Sequence, residues 1–296
     1  MLSIPTVIKV LLTVSFWGAS FVATKVALRD VMPIVVITLR FAVGVVILFA
    51  ALYRRRQRIL IASGDWPILL VLGFNGIWLH QLLQSTGLAE GASATNTGWY
   101  VATTPIFTAI LASLVLKEKL GLVRVIGIGL ATLGVLLVVS KGQVGAAIAQ
   151  GLPVTVGDYL ALASSPNWAI FSVSSKPVLK RYSPTVMMTV VMTLGWLMLL
   201  PLFFATGGLD QIGRLTPAGW AGVLFLGVAC SGLAYIFWYD ALHEADASGV
   251  SAFLYIEPIV TVIVASIVLD EQIVPATVIG GVIILSGVWL VSRRGL

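Results

Sequence analysis

The sequence predicts an all-α membrane protein with ten transmembrane helices, arranged as two inverted repeats of five helices (5+5). Two observations predict this fold, namely an extremely apolar composition and an internal repeat. Of the 296 residues, 59% are hydrophobic and only 10% are charged, whereas a soluble domain usually carries about 25% charged residues. The mean hydropathy of +1.04 agrees. The chain therefore has the lipid bilayer as its main solvent.

Ten stretches are long and apolar enough to cross the hydrocarbon core, which needs about 20 residues of helix. The first lacks a strongly basic start and is longer than the apolar core of a signal peptide, so we predict a helix of the mature chain. The connections are short, except the Gly/Ala-rich segment 143–155. The predicted spans are 5–28, 33–53, 66–88, 93–116, 121–140, 156–175, 184–206, 217–241, 247–269 and 274–292.

The distribution of Lys and Arg among these short loops predicts the orientation. Short cytoplasmic loops carry an excess of basic residues, and here that excess places both termini in the cytoplasm and the chain in the inner membrane. The basic residues form short clusters and no continuous face, so the net charge of +6 does not predict nucleic-acid binding. The inner side receives Arg54, Arg55, Arg56, Arg58, Lys117, Lys119, Arg124, Lys176, Lys180, Arg181, Arg293 and Arg294, and the outer side receives only Lys25, Arg29, Lys141 and Arg214.

Seven positions recur in order, with their spacing preserved within each set, and define an internal repeat. Residues 1–142 form the first five-helix repeat, 143–155 the connecting loop and 156–296 the second repeat. Because five is odd, the second repeat enters the membrane from the opposite side, as in many secondary transporters. Trp17, Lys25 and Pro33 match Trp168, Lys176 and Pro184, while Pro105, Glu118, Gly127 and Gly134 match Pro258, Glu271, Gly280 and Gly287.

Four sequence motifs carry a resemblance to a known family. They are Phe16-Trp17-Gly18-Ala19-Ser20-Phe21, Arg40-Phe41, and the segments from Thr104-Pro105 to Lys117-Glu118 and from Glu257-Pro258 to Asp270-Glu271. With them the chain resembles the drug/metabolite transporter superfamily, specifically its EamA family. Within it the chain is most similar to the YddG branch, which implies export of aromatic amino acids and related aromatic compounds.

The third span is unusually polar for a membrane helix. Asn75, His80 and Gln84 lie within three turns, and His80 and Gln84 share one face because they are four residues apart. Trp78 lies nearby. Polar groups in the membrane face a cavity or a partner, so these residues predict a cavity wall, with interhelical hydrogen bonding as the alternative.

Prolines interrupt the fourth and ninth spans near the middle of the membrane. Proline removes an N–H and frees a carbonyl one turn earlier, so Pro105 and Pro258 predict helix breaks. Two repeat-related broken helices point to a central site, which would include Asn96 on the fourth span. A packing kink without ligand contact is the alternative.

Glu257 and Arg40 are the two deepest opposite charges. Either they pair, which would make Glu257 structural, or Glu257 is free to titrate or to attract the ammonium group of an amino acid. Aromatic residues on the candidate cavity helices suit a ring-bearing ligand, although such residues also anchor helices at membrane interfaces. They are Trp17, Trp78, Trp99, Tyr100, Trp168, Tyr235, Trp238 and Tyr239.

The repeat also suggests a pair of gates. The predicted topology places Lys25 and Glu271 outside and their repeat equivalents, Lys176 and Glu118, inside. Each pair could close one face in turn. The simpler interpretation is that the lysines snorkel and the glutamates are solvated at loop ends.

No motif predicts a cofactor, a metal or a catalytic centre. The chain contains no G-x-x-x-x-G-K-[ST] sequence for ATP and no G-x-S-x-G elbow. The expected partner is therefore a small-molecule substrate moved by alternating access. Transport of a nucleotide derivative or a polyamine, and a membrane-embedded enzyme, are the alternatives. Transport direction, energy coupling and oligomeric state do not follow from the sequence.

Overall fold

A computed structural model describes residues 3–116, 121–145, 154–244, 250 and 252–292, and every regular element in these ranges is helical. The first repeat contains α1 (Ile4–Ala27), α2 (Pro33–Arg54), α3 (Trp66–Gly73), α4 (His80–Ala89), α5 (Ala94–Val101), α6 (Thr104–Leu116) and α7 (Leu122–Val139). The second contains α8 (Val156–Leu179), α9 (Pro184–Ala205), α10 (Gly208–Ile212), α11 (Pro217–Phe225), α12 (Ala234–Glu244), α13 (Glu257–Val268) and α14 (Pro275–Ser292).

Several helices in the described ranges have the length and apolarity of membrane spans. Five qualify, namely Ile4–Ala27, Pro33–Arg54, Ser63–Ala89, Pro184–Ala205 and Pro217–Ala241, and three more apolar helices are shorter. The predicted span 93–116 is divided into α5 and α6, and α8 is long enough but carries many polar residues. The chain is therefore a multi-pass membrane protein, and the number of ten spans stays a prediction.

Helix starts follow local capping chemistry. The hydroxyl groups of Ser93, Ser183 and Thr216 accept hydrogen bonds from backbone N–H groups three residues later. Thr155 and Asp158 form a capping box at the start of α8. These side chains satisfy N–H groups that have no partner inside the helix, and they fix the residues at which the helices begin.

Two long helices contain a π-helical segment that the sequence analysis did not predict. Phe74–Leu79 joins α3 to α4, and Leu226–Leu233 joins α11 to α12. Because α3 and α4 together form the third helix of the first repeat and α11 and α12 the third helix of the second, the irregularity occurs once in each repeat. π-Helical turns are rare in proteins, and those that occur often lie at functional sites.

Glycines hold α7 and α14 at short range. A Cβ atom on Gly127 would lie 2.7 Å from the carbonyl oxygen of Gly287, and one on Gly134 would lie 2.7 Å from that of Gly280. Gly127 therefore contacts Gly287, the repeat equivalent of Gly134, and Gly134 contacts Gly280, the repeat equivalent of Gly127. This crossed arrangement agrees with the close helix packing that the repeated glycines suggest.

Candidate functional site

Aromatic side chains of α1 and α12 form one cluster, which we call the Trp17 cluster. The Trp17 ring centroid lies 5.7 Å from that of Tyr235 and 5.3 Å from that of Trp238. Tyr235 stacks on Tyr239 at 6.5 Å. Four residues predicted from the sequence as binding residues therefore lie together, with Trp17 only partly buried.

The repeat equivalent of Trp17 lies in a second aromatic group. The Trp168 ring on α8 is 4.7 Å from the His80 ring on α4 and 4.8 Å from Phe171. His80 is buried, and its Nδ1 atom has no hydrogen-bond partner among the described residues. The two repeat-related tryptophans thus each contact the helix that carries a π-helical segment.

Hydrogen bonds fasten these helix pairs at the π-helical segments. The Trp17 Nε1 group donates to the Cys230 carbonyl oxygen at 3.2 Å, and the Cys230 thiol donates to the Phe16 carbonyl oxygen. At the other π-helical segment, the Asn75 and Asn167 side chains each donate to the backbone carbonyl oxygen of the other residue, at 3.2 and 3.1 Å. Asn75 therefore makes an interhelical hydrogen bond, the alternative given for the third span.

Other predicted binding residues lie in helix contacts away from the Trp17 cluster. Trp99 is 4% exposed and packs against Gly281 of α14. Tyr100 is buried and its hydroxyl donates to Asp158 Oδ1 at 3.0 Å. Trp78 stacks on Phe74, an exposed residue, at 4.9 Å. This placement favours packing roles for these three rings, while Gln84 and Asn96 are half-buried.

The helix interruptions coincide with the two prolines. Pro105 is the second residue of α6, directly after the gap that separates α6 from α5. Pro258 is the second residue of α13 and follows a 3₁₀ segment, Ala252–Ile256. In both places the chain restarts as a helix at a proline, whose missing N–H is harmless in the first turn.

Arg40 and Glu257 do not pair. The Arg40 guanidinium donates from Nε to Ser231 Oγ and from Nη1 to Gln81 Oε1, both at 3.1 Å. Glu257 makes no ion pair and no side-chain hydrogen bond within the described ranges. Of the two alternatives given for these charges, the structure shows the one in which they do not pair.

Lys25 and Glu271 meet at the end of the protein that we predict to be outside. Lys25 Nζ lies 3.3 Å from Glu271 Oε1, and the same carboxylate accepts hydrogen bonds from the backbone N–H groups of Ala94 and Thr95 at the start of α5. Burial raises the pKa of Glu271, whereas the hydrogen bonds from these N–H groups and the charge of Lys25 lower it by more. The pKa of Glu271 therefore lies below its usual range. A depression of about 310 Å³ adjoins the pair.

The contact predicted for the second gate falls partly outside the described residues. Lys176 is exposed, and Glu118 lies outside the described residues.

The two repeat-related threonines that lie three residues after Pro105 and Pro258 make different contacts. Thr261 donates to the Gly18 carbonyl oxygen of α1 at 2.8 Å, whereas among the described residues Thr108 bonds to Thr104 of its own helix and to no other helix.

A cluster of charges at the opposite end of the protein was missed by the sequence analysis. Arg55 makes two 2.8 Å contacts with Asp240, and Lys9 contacts Glu244 at 2.5 Å and Asp240 at 3.9 Å. These residues join α1, α2 and α12. Only the three-dimensional approach of distant segments relates them, since each looks like an ordinary loop charge in the sequence.

Comparisons with known proteins agree with this architecture. A family model described as the EamA-like transporter family matches residues 4–140 and 155–293. A protein of Archaeoglobus fulgidus named "Uncharacterized transporter" is 28% identical over 283 residues and covers 96% of both chains. A Streptantibioticus cattleyicolor protein named "Probable terminal-alkyne amino-acid exporter" is 27% identical, covering 96% of this chain and 92% of its own.

Two more matches complete the comparison. An Escherichia coli protein named "Probable amino-acid metabolite efflux pump" is 24% identical over 95% of this chain and 92% of its own. One solved crystal structure superposes with a TM-score of 0.64 at 19% identity, covering 96% of this chain and 95% of that chain. At this identity the solved structure supports the fold alone.

Proposed function

The chain belongs to the EamA-like transporter family, and from this premise we propose that it is a secondary transporter that exports small amphipathic metabolites, foremost aromatic amino acids. The observation that carries the substrate proposal is the Trp17 cluster. Its rings lie at 5.3 to 6.5 Å, and its polar neighbours include Arg40, within electrostatic range of Tyr235, and the Cys230 carbonyl group, which is hydrogen-bonded to Trp17. Aromatic walls with a few placed polar groups suit a ring-bearing, polar ligand.

The names of two relatives support an amino-acid substrate. One is named a probable amino-acid exporter and another a probable amino-acid metabolite efflux pump. An amino acid with a large apolar side chain combines the two chemistries that the site offers. The similarity to the YddG branch stays a prediction. It implies the same substrate class, aromatic amino acids.

We further propose alternating access of a ten-span protein in the inner membrane, with both termini in the cytoplasm. The contact of Lys25 with Glu271 joins α1, the start of α5 and the segment after α13 at one end, and the bond of Thr261 to Gly18 joins α13 to α1 nearer the middle of the helix. The described part of the other repeat has no hydrogen bond from Thr108 to a neighbouring helix. This asymmetry supports a state that is closed at the outer face, with Lys25 and Glu271 as its gate.

The test is uptake of labelled phenylalanine, tryptophan and threonine into liposomes that contain the purified protein. We expect saturable uptake of the two aromatic amino acids, inhibited by other ring compounds, and little uptake of threonine. Trp17→Ala should reduce aromatic uptake by about tenfold or more, because it removes the central ring of the cluster.

Trp220→Ala is the matched control, because Trp220 is 37% exposed near the start of α11 and outside the cluster. It should transport like the wild type. If no amino acid is taken up, the substrate proposal is wrong, and nucleotide derivatives and polyamines are screened next. If both tryptophan variants lose uptake equally, the Trp17 cluster is not the binding site.

A further inference from the structure

Arg40 and Glu257 are two opposite charges in the middle of predicted spans that do not neutralise each other. Arg40 is 7% exposed, and Glu257 lies at the interruption between the 3₁₀ segment and α13. A charge inside the membrane is unfavourable unless it has a partner or faces water. The structure gives neither charge an oppositely charged partner within the described ranges.

Arg40 has unused hydrogen-bonding capacity. A guanidinium group carries five N–H donors, and Arg40 uses one on Ser231 and one on Gln81, both of which are neutral. Its Nη2 atom has no partner among the described residues. In the described ranges, four side-chain atoms are sealed from solvent and have no hydrogen-bond partner, namely Thr38 Oγ1, His80 Nδ1, Trp99 Nε1 and Asn167 Oδ1. Arg40 Nη2 is not one of them. Arg40 Nη2 therefore keeps some accessible surface and is free to bind a further group.

Glu257 points away from the lipid. Ile259, Ile263 and Ile267 form the outward stripe of α13, with exposures of 45%, 50% and 72%. Successive helix residues are about 100° apart, so Glu257 lies off this stripe and beside the buried Thr261. Glu257 as a residue is half-buried, and its carboxylate makes no hydrogen bond with a described residue.

A short chain of contacts places the two charges around Trp17. Arg40 binds Ser231, the neighbouring Cys230 accepts a hydrogen bond from Trp17, and the next residue, Gly18, packs against the Glu257 backbone. A Cβ atom on Gly18 would lie 2.6 Å from the Glu257 carbonyl oxygen. The Cys230 thiol is within electrostatic range of both Arg40 and Glu257.

We propose that Arg40 binds the carboxylate and Glu257 the ammonium group of a zwitterionic α-amino acid whose side chain packs against the Trp17 cluster. The proposal rests on the proposed function and names the recognition chemistry of the same site. Guanidinium groups bind carboxylates with paired, charge-assisted hydrogen bonds. A zwitterion supplies both missing partners at once, whereas an amine alone would leave Arg40 unpaired and an acid alone would leave Glu257 unpaired.

The competing interpretation is that Arg40 only ties α2 to α4 and to the segment Leu226–Leu233. Its two hydrogen bonds would serve that purpose without any ligand. The two interpretations differ in one respect. A ligand-binding arginine determines which ligands bind, whereas a structural arginine affects all ligands alike.

The experiment measures ligand-induced stabilisation of the purified full-length protein by phenylalanine, phenethylamine and 3-phenylpropionate. Phenethylamine lacks the carboxylate, and 3-phenylpropionate lacks the ammonium group. We expect the wild type to bind phenylalanine at least about tenfold more tightly than either analogue, as the loss of a charge-assisted hydrogen bond implies. Arg40→Gln should abolish the preference over phenethylamine, and Glu257→Gln should abolish the preference over 3-phenylpropionate.

Arg54→Gln and Glu90→Gln are the matched controls, because both residues are exposed at the ends of helices and neither makes an ion pair within the described ranges. They should leave all preferences unchanged. If Arg40→Gln weakens the three ligands equally, or fails to fold, an Arg40→Lys variant decides. Lysine keeps the positive charge, so the Arg40→Lys variant should still prefer phenylalanine over phenethylamine. If this variant loses that preference and binds all three ligands equally more weakly, the proposal is overturned.

The outcomes separate this proposal from the proposed function. Stabilisation of the wild type by phenylalanine, with unchanged preferences in both variants, overturns only the roles of Arg40 and Glu257. Stabilisation by threonine but by no aromatic amino acid overturns the aromatic substrate, and the same variants are then tested with threonine and its decarboxylated and deaminated analogues. Stabilisation by no amino acid overturns both.

Discussion

Glu271 shows how one carboxylate can join three segments of a membrane protein. It contacts Lys25 on α1 and caps the first N–H groups of α5, although it follows α13 in the chain. A carboxylate at a helix N-terminus is favourable because the backbone N–H groups there are unpaired and carry partial positive charge. The two backbone bonds, rather than the ion pair alone, are therefore expected to dominate its contribution.

This difference predicts unequal effects for the two members of the pair. Glu271→Met removes all three contacts and should lower stability by about 1–3 kcal/mol. Lys25→Met leaves both backbone bonds in place and should cost about 1 kcal/mol or less. The midpoint of unfolding of the purified protein and phenylalanine uptake measure both effects.

Glu90→Gln, an exposed carboxylate at the same end of the protein, is the control and should be neutral. The double variant Lys25→Glu/Glu271→Lys should recover little, because lysine cannot accept hydrogen bonds from Ala94 and Thr95. A larger loss for Lys25→Met than for Glu271→Met, or full recovery in the double variant, would contradict this account.

At the level of helices, the pair α7 and α14 depends on the absence of side chains at four positions. Gly127, Gly134, Gly280 and Gly287 each face a backbone carbonyl oxygen of the other helix. Such contact lets helices associate in lipid, where the hydrophobic effect does not drive helix–helix association. The repeated glycines in the sequence suggest close helix packing, and the structure shows that α7 and α14 are the two helices that pack.

Gly134→Ala is therefore expected to destabilise the protein, because its Cβ would lie 2.7 Å from the Gly280 carbonyl oxygen and from Ile284 Cγ1. Overpacking of this kind typically costs about 1–3 kcal/mol. Gly129→Ala on the same helix is the matched control, because no atom lies within 4 Å of its Cβ position. It should be neutral or stabilising by up to about 1 kcal/mol, and thermal unfolding in detergent measures both. Equal unfolding temperatures for the two variants would contradict the packing argument.

The π-helical segments at 74–79 and 226–233 also belong to the level of helices, but the sequence did not reveal them. Hydrophobic periodicity averages over several turns and does not register one widened turn. The signal in hindsight is that Asn75 and Cys230, which fasten α8 and α1, lie within these segments. The two helices with widened turns contact Trp17 and Trp168. The widened turn would let the helix in each repeat change its local conformation beside the tryptophan.

At the level of the whole molecule, the positive-inside rule fixes the predicted topology, which substituted cysteines can test. Gly64, Gly145 and Gly213 are exposed, and a Cβ atom added at any of them would have no neighbouring atom within 4 Å, so cysteine fits at each. In a Cys230→Ser background, an impermeant maleimide should label cysteines at 145 and 213 in intact cells. It should label a cysteine at 64 only after the membrane is permeabilised.

The native Cys230, which is buried, should stay unlabelled in the parent protein and serves as the background control. Labelling at 64 but not at 145 in intact cells would reverse the orientation. Labelling at only one of 145 and 213 would contradict the predicted number of spans between them.

The sequence by itself determined the membrane character, the repeat, the family resemblance and the helix interruptions at Pro105 and Pro258, because these depend on local composition and spacing. It also identified the members of the Trp17 cluster and of the Lys25–Glu271 contact. Only the tertiary structure decided that Trp99 and Tyr100 lie in helix contacts, that Asn75 bonds to α8, and that Arg40 and Glu257 remain apart. The physical reason is that the partner of a buried polar or aromatic group is chosen by the approach of helices distant in sequence, and residue spacing within one helix carries no information about it.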